Sequence, residues 1–126
     1  MRTWGAVLLV ALSGCAASGE PAGPAPSASA AVDCGTFVLK QGERLRTTAL
    51  ECLIDAVEAG RPARLAVTYP TIEGDPIHET YESGANGQVR VTRDTRQDAF
   101  GSQEVITQLC TGIAVDHGGP TFRTCG

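Results

Sequence analysis

The residues able to do chemistry gather in one stretch: Glu73, Asp75, His78, Asp94, Arg96 and Asp98. Several carboxylates near one hairpin end can supply oxygen ligands to a hard cation or meet a cationic ligand. A histidine facing an aspartate, His78 with Asp94, has the make-up of a general acid–base pair. A plainer structural reading covers the same residues. Glu73-Gly74-Asp75-Pro76 is a tight turn in which Gly74 takes an unusual backbone angle and Asp75 bonds a nearby amide, and His78 with Asp94 is a cross-strand pair on a solvated face. The spacing of a calcium-binding EF-hand loop is absent. No nucleophile accompanies the group, since G-x-S-x-G, S-x-x-K with its partners, H-E-x-x-H and a phosphate-binding glycine loop are all missing. His117 sits in a Gly-rich turn and reads as exposed and idle. Arg90, Arg93 and Arg96 either balance Glu79 and Glu82 or meet an anionic ligand. The six residues named first are candidates for ligand binding; no catalytic residue, metal ligand or cofactor is assigned.

These side chains need a scaffold, and the hydrophobic pattern supplies one. Gly35 to Leu39 reads as a short strand. Thr48-Ala-Leu-Glu51 resembles a capping box, and behind it Ala49, Leu50, Leu53, Ile54, Ala56 and Val57 share one helical face that Gly60 and Pro62 terminate. Ala63 to Tyr69 alternates as a half-buried strand. Between Ile77 and Arg93 both arms alternate around Asn86-Gly87. A two-residue loop would set Tyr81 opposite Thr92 and Glu82 opposite Val91, mixing the faces. A three-residue loop Ala85-Asn86-Gly87, with Gly87 left-handed, instead pairs Tyr81 with Val91, Glu82 with Arg90, Thr80 with Thr92 and His78 with Asp94. That register is the one expected. Ser102 to Leu109 fits a strand or a short helix, with strand preferred. Ile113–Val115 and Thr121–Cys125 read as antiparallel strands joined through Asp116 to Pro120. The sum is an α+β fold: one amphipathic helix packed on a mainly antiparallel sheet.

A core this small needs covalent help. The chain has 126 residues and five cysteines. If Cys15 is set aside, Cys34, Cys52, Cys110 and Cys125 remain, an even set with three possible connectivities. Cys34–Cys52 and Cys110–Cys125 are favoured, the first pinning the opening strand to the helix and the second closing a C-terminal hairpin. No C-x-x-C occurs and the spacings match no zinc pattern. The formal net charge of −4 argues against a nucleic-acid footprint and against a polybasic membrane patch.

Cys15 is set aside because of what precedes it. One arginine, an apolar run from Trp4 to Leu12 and the small residues Ser13-Gly14 describe a secretory signal over 1–14, too short to span a bilayer. Leu12-Ser13-Gly14-Cys15 resembles the bacterial lipobox, which implies diacylglycerol transfer to the Cys15 thiol, cleavage before it and acylation of the new amino terminus. Two or three acyl chains anchor stably where one does not. Residues 15–32 then form a lipidated, Ala/Pro/Ser-rich tether reaching roughly 20–25 Å, and 33–126 form a single domain on the outer side of the cell membrane.

Thr71-Ile-Glu-Gly-Asp-Pro-Ile77, followed by Asp94-Thr-Arg-Gln-Asp98, Phe100-Gly101 and the late pair Cys110 and Cys125, resembles a family of small bacterial lipoproteins classed only as a domain of unknown function. The likeness runs from about Ala63 to Cys125. It implies an exported, lipid-anchored domain without assigned activity, and it supports pairing of Cys110 with Cys125 more than of Cys34 with Cys52, which it implies are particular to this branch. The functional expectation is a non-enzymatic binding or interaction module of the cell envelope, in contact with the bilayer through acylated Cys15 and with an unknown envelope protein or ligand. Two alternatives stand beside it: a small metal protein or enzyme using Asp75, His78 and Asp94, and an inhibitor of an extracytoplasmic enzyme acting through an exposed rigid loop at Ile72 to Ile77.

Overall fold

A computed structural model describes residues 30–126 together with Gly19 and Gly23. The expected signal, Cys15 and most of the tether lie outside the described residues. The elements run β1 (Val32–Val38), α1 (Thr47–Glu58), β2 (Ala63–Pro70), β3 (Pro76–Ser83), β4 (Val89–Asp94), β5 (Val105–Asp116) and β6 (Gly119–Cys125). The six strands form one sheet in chain order. β1 and β2 are parallel, joined by α1 as the crossover that parallel neighbours require, and every other pair is antiparallel.

This overturns the α+β expectation. The fold is mostly β, a six-stranded mixed sheet beside one helix of 12 residues. The physical reason lies after Gly101. What reads as separate short segments is one uninterrupted strand of 12 residues, β5, because Val105 to Val115 carries no charge or proline to stop it. The helix also starts differently. It begins at Thr47 with Arg46 as N-cap and no side-chain cap, so the Thr48–Glu51 capping box does not form. Leu45 and Leu50, both buried, occupy the two positions of a hydrophobic staple, and their burial sets the first turn instead. The C-terminus closes as the sequence implies. Arg61 N–H donates to the Ala56 carbonyl (2.8 Å) and Gly60 N–H to that of Val57 (3.1 Å), the two bonds of a Schellman motif.

The β3–β4 hairpin has the expected register in full: His78↔Asp94, Thr80↔Thr92, Tyr81↔Val91 and Glu82↔Arg90. Its turn carries Gly87 at φ +72°, an angle few other residues adopt without strain. Both favoured disulfides are present, Cys34–Cys52 and Cys110–Cys125.

Period-2 alternation gives the sheet two unlike faces. Ala63, Leu65, Val67, Ile77, Tyr81 and Val89 are buried on the inner face, where α1 sets Ala49, Leu50, Leu53, Ala56 and Val57 against them. A second cover comes from β5. Its first half pairs with β4 as far as Cys110↔Val89, and its second half pairs with β6 alone. Gly112 interrupts that ladder with φ +70°, and a Cβ there would come within 2.8 Å of Arg123 Cβ. Beyond it the β5–β6 ribbon turns back over the inner face. Ile113 and Phe122 pack on the core, the Phe122 and Tyr81 rings stack at 6.3 Å, and Gly118 reaches Arg44. Gly112→Ala is expected to lower the free energy of unfolding by about 1–3 kcal/mol, because it forces an L side chain into the left-handed region and against Arg123. Urea denaturation measures this, and an unchanged midpoint would show that the ribbon does not depend on the bend.

Candidate functional site

The sheet has two ends. The near end holds Val32, Ala63, Ser83 and Val89, and the far end holds Val38, Pro70, Pro76, Asp94 and Val105. Every sequence-nominated residue except Glu73 has a local partner at or near the far end. Asp75 Oδ2 accepts the Ala99 N–H (2.9 Å), and the Asp75 N–H donates to the Thr71 hydroxyl (3.1 Å). Together these fasten the 71–75 turn to the 95–104 loop. Asp98 Oδ1 accepts the Phe100 N–H (3.0 Å). Asp94 receives Arg96 through Nε (3.0 Å), Nη2 (2.6 Å) and the backbone N–H (3.0 Å). The Arg96 hydrogen bonds hold the Asp94 carboxyl down at about 2. His78 shares a 2.8 Å hydrogen bond with the Thr68 hydroxyl and accepts one of 3.4 Å from Gln97 Nε2. Glu73 is exposed in the turn, and the adjacent Gly74 takes φ +98°.

The carboxylates are thus spent on amides and on Arg96 rather than turned toward one point. Among the described residues, no group of three or more His, Cys, Asp or Glu is arranged to hold a metal ion. His117 is exposed, as read, beside Asp116 at 3.5 Å.

A different polar cluster lies on the inner face, where the sequence reading placed no site. Glu79 sits between Val67 and Arg93 in the register, and its side chain is only 15% exposed. The Tyr69 hydroxyl donates to Oε1 (2.9 Å) and the Tyr81 hydroxyl donates to Oε2. Arg93 Nε approaches Oε1 at 3.6 Å, and the guanidinium lies 5.9 Å from the centre of the Tyr69 ring. Burial first, and then the Glu79 charge, push both phenols far above the usual tyrosine range. Neither can serve as a base near neutrality; both act as fixed donors. The signal was present in the sequence as parity. Glu79 alternates with Ile77 and Tyr81, so a core-facing carboxylate was legible once the strand was taken as one-sided.

Next to this cluster, at the far end, a cleft of about 330 Å³ opens between the 39–45 loop, Tyr69 and the 116–119 tip of the ribbon. Its polar walls are Lys40, Glu43, Arg44, Asp116 and His117. The far end also exposes Ile72 (91%) and Phe100 (79%), on the two loops that the Asp75–Ala99 bond ties together. This collection offers apolar contact, a few polar groups and a fixed frame. Its one neighbouring carboxylate and imidazole, Asp116 and His117, are both largely exposed at the ribbon tip.

Residues 36–121 match the family model described as "Domain of unknown function (DUF4362)". The chain belongs to that family. The match runs from the last part of β1 to the start of β6 and includes the cleft, the Glu79 cluster and the 71–75 turn. Neither the curated proteins nor the solved structures show a match to the chain.

The two tyrosines of the cluster are the chain's only two, so tyrosinate absorbance reads the cluster alone. Their folded-state pKa values are raised, so the stability they contribute is complete below the unfolded value near 10 and declines as pH rises above it. In an alkaline titration the native protein should show no tyrosinate signal until it unfolds above pH 10. Glu79→Gln should bring the onset down, since it removes the charge that opposes phenolate formation. A wild-type signal that rises smoothly near pH 10 without unfolding would contradict the cluster.

Proposed function

We propose that this chain is an extracytoplasmic, lipid-tethered binding module of the cell envelope that meets its partner with the far end of the sheet. The observation that carries this reading is an opposition of ends. The chain enters the fold at the near end, where Val32 N–H bonds the Pro62 carbonyl (2.8 Å). The cleft and the exposed Ile72 and Phe100 stand at the other. A tether from an acylated Cys15 would hold the near end toward the bilayer and present the far end outward. The lipobox-like Leu12–Cys15 supports the anchoring, and two disulfides suit an oxidising exterior. The Thr71–Ile77 stretch that marks the lipoprotein resemblance supplies part of the binding surface. Large apolar side chains on loops fixed by hydrogen bonds lose little freedom on association, which favours recognition over catalysis.

Two measurements test the reading. Mass spectrometry of the protein recovered from membranes should find the mature chain starting at a diacylated Cys15; an unmodified N-terminus in the cytosol would refute the anchoring. Envelope proteins captured by the wild type should be lost, at least about tenfold, with the double change Ile72→Asp and Phe100→Asp. The melting temperature should stay within a degree or two, because both side chains are exposed. Undiminished capture would remove the far end from consideration.

One observation favours a second reading, inhibition of an extracytoplasmic enzyme. Ile72 projects from a turn closed by Thr71 N–H to the Asp75 carbonyl (2.8 Å) and Gly74 N–H to that of Thr71 (3.0 Å), and held from outside by Ala99. A rigid exposed loop is what such an inhibitor presents. This reading predicts slowed turnover of an envelope hydrolase by the wild type and none by Ile72→Asp. Inhibition insensitive to that change would dismiss the loop.

A further inference from the structure

Besides the part of β5 beyond Cys110, which pairs with β6 alone in the ribbon, the sheet has three stretches of free edge among the described residues, and two of them are blunted. β1 carries a bulge between Asp33 and Gly35, and the Gly35 N–H is already taken by Asp33 Oδ1 (2.9 Å). The outer edge of β6 carries the charge of Arg123. Devices of this kind keep an edge from pairing. The third stretch has none. β6 accompanies β5 only from Leu109 onward, where Leu109 and Gly126 exchange both backbone bonds (2.9 and 3.1 Å). Val105-Ile106-Thr107-Gln108 has β4 on one side and no strand among the described residues on the other.

The alternation of an antiparallel ladder fixes which groups are free. Glu104 turns its carbonyl inward to the Thr95 N–H (2.9 Å), and Leu109 bonds outward to Gly126. Even-numbered residues therefore bond β4, while Val105 and Thr107 point N–H and C=O out of the edge. These residues are β-branched, uncharged and strand-favouring, and Val105 and Ile106 are 47% and 42% exposed.

We infer that this edge pairs antiparallel with the same edge of a second copy, about a two-fold axis at Ile106. The register follows from exclusion. Centring on Thr107 would set Val105 against Leu109 of the other copy, whose outward groups Gly126 already occupies. Centring on Val105 would set Thr107 against Gln103, which leaves the extended region at φ +52°, and Ile106 against Glu104. Centring on Ile106 sets Val105 against Thr107 twice, which satisfies all four outward groups on each copy, and brings Ile106 against Ile106 at the narrow position of the ladder. No like charges then face each other. The left-handed Gln103 turns each chain off the shared edge before it meets Gly126. Such a contact is isologous and closed. Its few residues bury far less than the roughly 1,200–2,000 Å² of a stable interface, so the pair forms at high local concentration, as on a surface.

Sedimentation velocity of the purified full chain over a concentration series tests this. The wild type should shift from monomer toward dimer at high concentration. Ile106→Lys and Ile106→Glu should each weaken self-association at least about tenfold, since each sets like charges directly opposite. An equimolar mixture of the two variants should recover dimer, which a folding defect could not do. A wild type that stays monomeric throughout, a dimer indifferent to Ile106→Lys, or no recovery on mixing would overturn the pairing.

Discussion

A six-stranded sheet whose described residues supply a single helix of three turns has more apolar surface on its inner face than that helix can cover. The rest of the structure follows from how the shortage is met. β5 runs on past its partner β4, takes a left-handed step at Gly112, and returns with β6 as a ribbon lying on the same face as α1. Helix and ribbon together make the second layer that any one-sided sheet requires. Each cover is covalently pinned, the helix through Cys34–Cys52 and the root of the ribbon through Cys110–Cys125. Cross-links over 18 and 15 residues are each worth about 2–4 kcal/mol, a large share of the net stability of a domain this size.

The same arrangement explains how a carboxylate comes to lie on the core-facing side of β3. Glu79 would be costly there without partners. Tyr69 and Tyr81 each give it a hydroxyl and Arg93 gives it a charge, so the polar group is satisfied within a mostly apolar layer. Phe122 from the ribbon stacks on Tyr81, which couples the cluster to the second cover. The polar residues outside the core behave differently. Asp75 ties the 71–75 turn to the 95–104 loop, Asp94 and Asp98 brace that loop from within, and what they build is a stiff frame for Ile72 and Phe100.

Much of the local structure could be read from residue order because it rests on short-range rules. Cross-strand charge and size matching gave the β3–β4 register, Gly60 and Pro62 gave the end of α1, and an even set of cysteines with one hairpin-like pair gave the disulfides. The candidate site was legible only in part. Asp75 was recognisable as a turn former from its neighbours, whereas the Glu79 cluster was hidden. Treating Glu79 as a surface partner of the arginines overlooked its parity with Ile77 and Tyr81. The start of α1 was misplaced for a related reason: the Thr48–Glu51 pattern is a local signal, and burial of Leu45 outweighed it.

The fold class itself depended on information that no window of the sequence contains. Whether Val105 to Val115 is one strand or two pieces, and whether Gly112 bends it, is settled by competition between local extension and the need to cover an apolar face many residues away. Sequence alone determined the identities and pairing partners of the β3–β4 hairpin, because neighbouring strands joined by a short turn have few registers to choose from. Only the tertiary structure decided that the chain is mostly β, that its second cover is a ribbon, and that cleft and exposed loops share one end. Those features come from long-range packing, whose energy lies in surfaces brought together by folding and not in any run of adjacent residues.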